Sequence, residues 1–184
     1  MVKHLYDSFA HWYERGGNVW FYSDPHFSDE EMVHIRKNYI GDEEQIKRIN
    51  SKITNRDTLI ILGDIGNVEM IKKLRGYKVL IKGNHDAGAQ NYKDYFDEIY
   101  EGCLMISPKI ILSHEPVGFF PYALNIHGHD HSGWFQVTAR HINCCAEHIN
   151  YTPICLKHIV KTGVLKPIPD IHRDTIDKAS KKEK

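Results

Sequence analysis

The chain has 184 residues, enough for one domain with its own core. Its 24 Lys and Arg balance its 24 Asp and Glu, so extended nucleic-acid binding through a basic surface is not predicted. No run approaches the ~20 apolar residues of a membrane span, and the N-terminus lacks a signal-peptide core, so a cytoplasmic protein with no membrane partner is expected.

Leu5, Phe9, Trp12 and Tyr13 fall at helical spacing and predict an amphipathic, turn-rich segment over residues 1–17. It is either a flap over the core edge or a dimer contact. Val19-Trp20-Phe21-Tyr22 has strand composition and stops at Ser23-Asp24. Ser28, followed three residues later by Glu31, reads as a capping box that opens a helix. Ile46, Ile49 and Ile53 place a second helix over residues 42–53. Thr58 to Leu62 is a buried strand running into Gly63-Asp64, and Val68 to Leu74 a helix closed by Gly76. Val79-Leu80-Ile81 is a strand leading to Gly83-Asn84-His85, and Tyr92 to Phe96 a short helix. Ile110 to Leu112 runs into Ser113-His114, and Leu124 to Ile126 into His127-Gly128-His129. Residues 134–145 and 154–156 read as further strands, and the charged tail from Asp170 as frayed. Strand and helix alternate first and strands follow, which predicts an α/β fold with helices flanking a sheet core.

The cysteines Cys103, Cys144, Cys145 and Cys155 form no C-x-x-C pair and read as reduced structural thiols. The short basic stretch Lys72, Lys73, Arg75, Lys78 and Lys82 reads as a solvated face.

Five segments carry most of the chemistry: Asp24-Pro25-His26, Gly63-Asp64-Ile65-Gly66-Asn67, Gly83-Asn84-His85-Asp86, His114 and Gly128-His129-Asp130-His131. They hold carboxylate, imidazole and amide donors, which suit divalent metals. Asp24 and His26 stand two apart on an extended segment, so alternation puts both on one side. His129 and His131 have the same spacing, and Gly128 allows a strained turn before them. Gly63 lets the backbone close in beside Asp64. One carboxylate can bridge two ions ~3.5–4 Å apart, so the set reads as a two-metal hydrolytic site. His127 either supports the last motif or packs; His141 and His148 read as structural.

These segments match D-x-H, G-D-x-x-D/N, G-N-H-D/E, H and G-H-x-H, and from Asp24 to His131 the chain resembles the calcineurin-like metallophosphoesterase family, in its small single-domain bacterial and phage form. The resemblance implies one catalytic domain over residues 1–184 with a four-layer α/β/β/α sandwich. It implies a first metal on Asp24, His26, Asp64 and His131, and a second on Asp64, Asn84, His114 and His129. His85 would protonate the leaving oxygen or stabilise its charge, with Asn84 touching a phosphate oxygen. Asn67 stands where many members carry an Asp that pairs with the histidine; it can orient an imidazole but brings no charge.

The implied cofactors are two divalent ions, Mn²⁺ first, with Fe²⁺, Zn²⁺ or Ni²⁺ as alternatives. The segments between the motifs leave no room for a cap, so the expected partner is a small or accessible phosphate ester, nucleotides included. A phosphodiester leads; a nuclease, a phosphomonoesterase and a non-catalytic metal-binding scaffold are the alternatives. Nucleic acid is not favoured by the charge balance, and the chain is expected to be a monomer or homodimer. Phe119, Phe120 and Tyr122 form either a base-stacking wall or ordinary loop packing.

Overall fold

The computed structural model describes residues 5–36, 38–118, 122–134 and 140–169. The expected tail from Asp170, Phe119, Phe120 and part of the stretch expected as strand after residue 134 lie outside the described residues.

The N-terminal segment forms a 3₁₀ turn, Asp7–Phe9, and a one-turn helix α1, His11–Glu14. Trp12 is fully buried and Phe9 nearly so, with Leu5 and Tyr13 packed against the same cluster, so this segment folds onto its own core. Strand β1 is Val19–Tyr22. Helix α2, Met32–Ile35, follows without a capping box: Glu31 holds the cap position with no side-chain bond, and the Ser28 hydroxyl donates instead to Asp42. Ser28 has a left-handed backbone, φ 60°, and its N–H donates to Asp42 as well. Helix α3, Asp42–Lys52, carries acidic residues in its first turn, where the helix dipole favours them.

Strand β2, Thr58–Ile61, and β3, Tyr77–Ile81, complete a parallel β1–β2–β3 core. Between them Val68–Lys73 is a 3₁₀ helix rather than the expected α-helix, capped by Asn67, whose Oδ1 accepts from Glu69 N. The helix expected over Tyr92–Phe96 is a 3₁₀ turn at Ala89–Asn91 followed by turns. Strands β4, Glu98–Tyr100, and β5, Leu104–Ser107, are too short and mixed to have been visible as strands in the sequence. Then come β6, Ile110–Leu112; β7, Leu124–His127; β8, His141–Asn143; β9, Ile154–Cys155; and helix α4, Leu156–Lys161, absent from the sequence reading.

Two sheets result, ordered β4-β3-β2-β1-β9 and β5-β6-β7-β8. Alternation divides the residues of each strand. Phe21, Ile60, Val79, Leu112, Leu124 and Ile126 share one fully buried cluster between the sheets. Tyr22, Leu59, Ile61 and Leu80 face the other way, onto Ile46, Ile49 and Ile53 of and just beyond α3. On the outer side of the second sheet, Asn125 accepts from Val117 N at 2.8 Å and His141 Nε2 lies 3.0 Å from Val117 O. Val117, in the loop that follows β6, therefore lies against that side. The fold is therefore α/β, with two sheets flanked by helices.

Candidate metal centre

Every segment singled out in the sequence leaves the C-terminal end of a strand, where open α/β sheets bind ligands. Asp24 follows β1, Asp64 follows β2, Asn84 and His85 follow β3, His114 follows β6, and His129 and His131 follow β7. Backbone bonds stitch these ends together: Asp24 N donates to Gly63 O, His26 N to Asp64 O, and Gly128 N to His114 O. Asp86 closes the arrangement. Its carboxylate accepts from Asp64 N, Ile65 N and Gly83 N at 2.7–3.0 Å, so the last residue of the Gly83–Asp86 segment holds two ligand loops in register.

The local backbone is strained where the ligands sit. Asp24 (φ 53°), His26 (44°), Asp64 (52°) and His129 (64°) are all left-handed without being glycine. Each costs on the order of 1–3 kcal/mol, and such strain gathers at functional sites. Asp24 and His26 are thus not neighbours on an extended segment as expected; a left-handed turn aims both. Gly128 is not the strained residue either. A Cβ there would fall 1.8 Å from Ser23 Oγ and 2.3 Å from Asp24 Oδ2, so Gly128 supplies room and His129 takes the strain.

The donor atoms form two groups, Asp24–His26–His131 and Asp64–His114–His129. Asp24 Oδ1 lies 4.0 Å from His26 Nε2 and 3.5 Å from His131 Nε2. Asp64 Oδ2 lies 3.7 Å from His26 Nε2 and 3.4 Å from His114 Nε2, so it faces both groups. Asn84 Oδ1 is 2.8 Å from His114 Nε2 and 3.0 Å from His129 Nδ1. His129 and His131, two apart in sequence, go to different groups. Separations of 3.4–4.0 Å are long for hydrogen bonds. They suit donors about to share an ion through bonds of ~2.0–2.2 Å. Asp24 Oδ1 and His26 Nε2 are buried and have no hydrogen-bond partner. Buried polar atoms are rarely left so, and a cation is what this donor set fits.

The electrostatics follow from that crowding. Burial works against a charged His114, but the Asp64 and Asp24 carboxylates and Leu62 O carry its pKa up to about 9. Burial raises the Asp64 carboxyl, and the opposing His114, His85 N and His26 bring it out below its ordinary value. At His26 burial prevails and the imidazole titrates low.

His85 lies exposed, its ring 6.0 Å from that of His26, and its N–H donates to Asp64 Oδ1 at 3.0 Å. Asn67 does not reach it: its Nδ2 donates to Ser28 Oγ, its Oδ1 caps the 3₁₀ helix, and no hydrogen bond joins it to His85 among the described residues. A cleft of about 420 Å³ is lined by His26, Asp64, His85, Tyr92, His129 and His131. A second, of about 360 Å³, opens beyond Asn84 and His114 toward Lys82, Cys103 and Val117. His127 is buried, with Nδ1 2.8 Å from Gly128 O. His148 Nε2 lies 3.0 Å from His131 O and 3.1 Å from Asp130 O, so it braces the His129–His131 loop.

Sequence reasoning missed three contributors. Cys145 Sγ donates to Asp24 Oδ2 at 3.2 Å, Glu147 Oε1 lies 2.5 Å from His131 Nδ1, and buried Arg36 donates to Asp24 O. His131, Cys145 and Glu147 form a third candidate cluster. These residues belong to no spacing pattern, so no local signal marked them.

No protein-family model matches the chain. An uncharacterised protein of Methanocaldococcus jannaschii, MJ1445, is 28% identical over 167 residues, covering 78% of this chain and 89% of that one. The crystal structure of AQ665, a protein of unknown function from Aquifex aeolicus, superposes with a TM-score of 0.64 at 26% identity, covering 79% of this chain and 99% of that one. A looser match, at a TM-score of 0.45 and 23% identity, is the Pseudomonas putida nuclease MPE, covering 64% of this chain and 63% of that one. At that overlap it does not bear on function.

Proposed function

We propose that the chain is a dinuclear metal-dependent phosphoesterase of the calcineurin-like kind, acting on small phosphodiesters. The observation that carries this reading is the gathering of two donor groups around a shared Asp64, with Asp24 Oδ1 and His26 Nε2 buried and unpartnered. On this reading the two sheets and α3 are three layers of a four-layer sandwich.

Asp24, His26, Asp64 and His131 would hold one cation, and Asp64, Asn84, His114 and His129 the other. Such a pair, with Mn²⁺ preferred, supplies positive charge for phosphoryl oxygens and an acidified water. The chain's own residues do the rest. His85, exposed on the 420 Å³ cleft and tethered to Asp64 through its backbone, is placed to give a proton to the leaving oxygen. Asn84 offers its amide to a phosphate oxygen. One cleft is lined by Asn84 and the other by His85, which would leave space for a second substituent on a phosphate and favours a diester. An exposed His85 beside a complete donor set favours turnover over a scaffold.

The test is hydrolysis of bis(p-nitrophenyl) phosphate against p-nitrophenyl phosphate by metal-stripped protein refilled with Mn²⁺. The diester should be cleaved faster, and Asp64→Ala should abolish both reactions. No turnover of either ester by protein carrying two ions would sink the proposal.

A further inference from the structure

The histidines of the centre differ in what stands behind their rings, and the difference divides the centre in two. Behind His131 stands Glu147, its Oε1 2.5 Å from Nδ1. Nδ1 thus faces a carboxylate that can accept its proton, and Nε2 faces Asp24 Oδ1 at 3.5 Å. Behind His26 is another carboxylate, Asp29 Oδ2, 3.4 Å from Nδ1. Behind His114 there is only the neutral carbonyl of Leu62, at 2.7 Å. The ring of His129 meets only Asn84 and His114 among the described residues, and both belong to the centre itself.

Glu147 is held in turn. Its Oε2 lies 3.2 Å from Arg36 Nε, and Arg36 is 3% exposed. The other arms of the guanidinium reach Asp24 O at 2.5 Å and Pro25 O at 3.5 Å. One buried guanidinium therefore links the turn carrying Asp24 and His26, through its bond to Asp24 O, with the carboxylate that aims His131, through an ion pair. Gln45 adds a bond to Pro25 O and is itself held by the Tyr22 hydroxyl. A buried ion pair is poor as a source of stability because both charges lose their water. This one joins two donor-bearing segments, the Asp24–His26 turn and, through Glu147, the ring of His131.

We infer that Glu147, anchored by Arg36, is a positioning residue that aims Nε2 of His131 and makes the Asp24–His26–His131 half of the centre the tighter of two cation places. This rests on the two-cation reading above. A carboxylate behind a ligating imidazole raises its basicity and removes its freedom to turn, and losing such a partner typically costs ~10–100-fold in metal affinity. The Asp64–His114–His129 half has no such support and exchanges its ion more readily.

The experiment is calorimetric titration of the metal-stripped full chain with Mn²⁺, with His129→Ala used to mark the weaker step. Wild type should bind in two steps. Glu147→Gln should weaken the step that His129→Ala leaves intact by ~10–100-fold and leave the other within about threefold. If Glu147→Gln does not fold, Glu147→Asp keeps the charge beside Arg36 but withdraws it from His131, and the same step must weaken. Glu147 variants that weaken both steps alike, or neither, or only the step marked by His129→Ala, overturn the inference. Two ions bound with equal affinity by the wild type overturn it while leaving the proposed function standing; no bound ion overturns both.

Discussion

At the scale of single residues, the proposed reading assigns metal holding to Asp64 and proton transfer to His85. Asp64 Oδ2 faces both donor groups, so Asp64→Ala should leave a protein that retains less than one equivalent of Mn²⁺ after desalting, measured by elemental analysis. His85 reaches the centre only through its backbone and its exposed ring, so His85→Ala should keep its metal and lose turnover by about 10²-fold. Full turnover in that variant would remove His85 from the chemistry. Gly128→Ala tests the close approach. Its Cβ would overlap Ser23 Oγ and Asp24 Oδ2, and the backbone shift that relieves this should lower stability by ~1–3 kcal/mol in urea unfolding and weaken metal binding together. That these donor side chains gather was legible in the sequence because carboxylate, imidazole and amide groups recur just beyond apolar runs. The left-handed backbone at Asp24, His26, Asp64 and His129 was not legible, since none of these residues is a glycine and nothing local declares the strain.

At the scale of elements, α3 and the strands it covers follow from periodicity. Ile46, Ile49 and Ile53 recur at three and four residues and meet Leu59, Ile61 and Leu80 from the strands. Ile49 is fully buried, and Ile49→Ala should cost ~2–5 kcal/mol by chemical denaturation. Asp57, just before β2, fixes the turn that leads into the sheet. Its Oδ1 accepts from Asn18 N at 2.6 Å and its Oδ2 from Thr54 N at 2.7 Å and Thr54 Oγ1 at 2.6 Å. Burial works to raise this carboxyl, and the Thr54 and Asn18 bonds outweigh it, so its pKa falls below the ordinary value. A carboxyl depressed in the folded state contributes stability above the unfolded pKa of ~3.9 and loses it as pH falls through the folded value. Urea unfolding between pH 6 and 3 should therefore show stability dropping below about pH 4, with a shallower drop in Asp57→Asn. An equal drop in both proteins would remove Asp57 as a cause. The elements that the sequence concealed are the short ones. Strands β4 and β5 and the Ala89–Asn91 turn have too few residues to show a period, and their partners, not their composition, make them what they are.

At the scale of the whole molecule, stability is testable at two places, the N-terminal segment and the proposed metal centre. Trp12 packs into the cluster between the sheets and its Nε1 donates to Glu98 at 2.9 Å on β4. Trp12→Ala should cost ~3–5 kcal/mol, read by thermal unfolding, because it opens a cavity and strips Glu98 of a donor. A variant with unchanged midpoint would show that the segment is peripheral to the fold. Saturating Mn²⁺ should raise the unfolding midpoint, by an amount equivalent to about 2.7 kcal/mol at a hundredfold excess over Kd, and a chelator should reverse it.

By itself the sequence determined the α/β alternation, the buried strands and the identity of the hard-donor residues, because hydrophobic period and donor chemistry are both written locally. Only the tertiary structure decided which donors share a group. His129 and His131 part company although adjacent in pattern, while Asp24 and His131 meet across more than a hundred residues. It also decided that Asn67 caps a turn instead of facing His85, and that Arg36 and Glu147 stand behind the centre. Those outcomes depend on where strand ends lie when two sheets pack face to face, a distance that no spacing along the chain records.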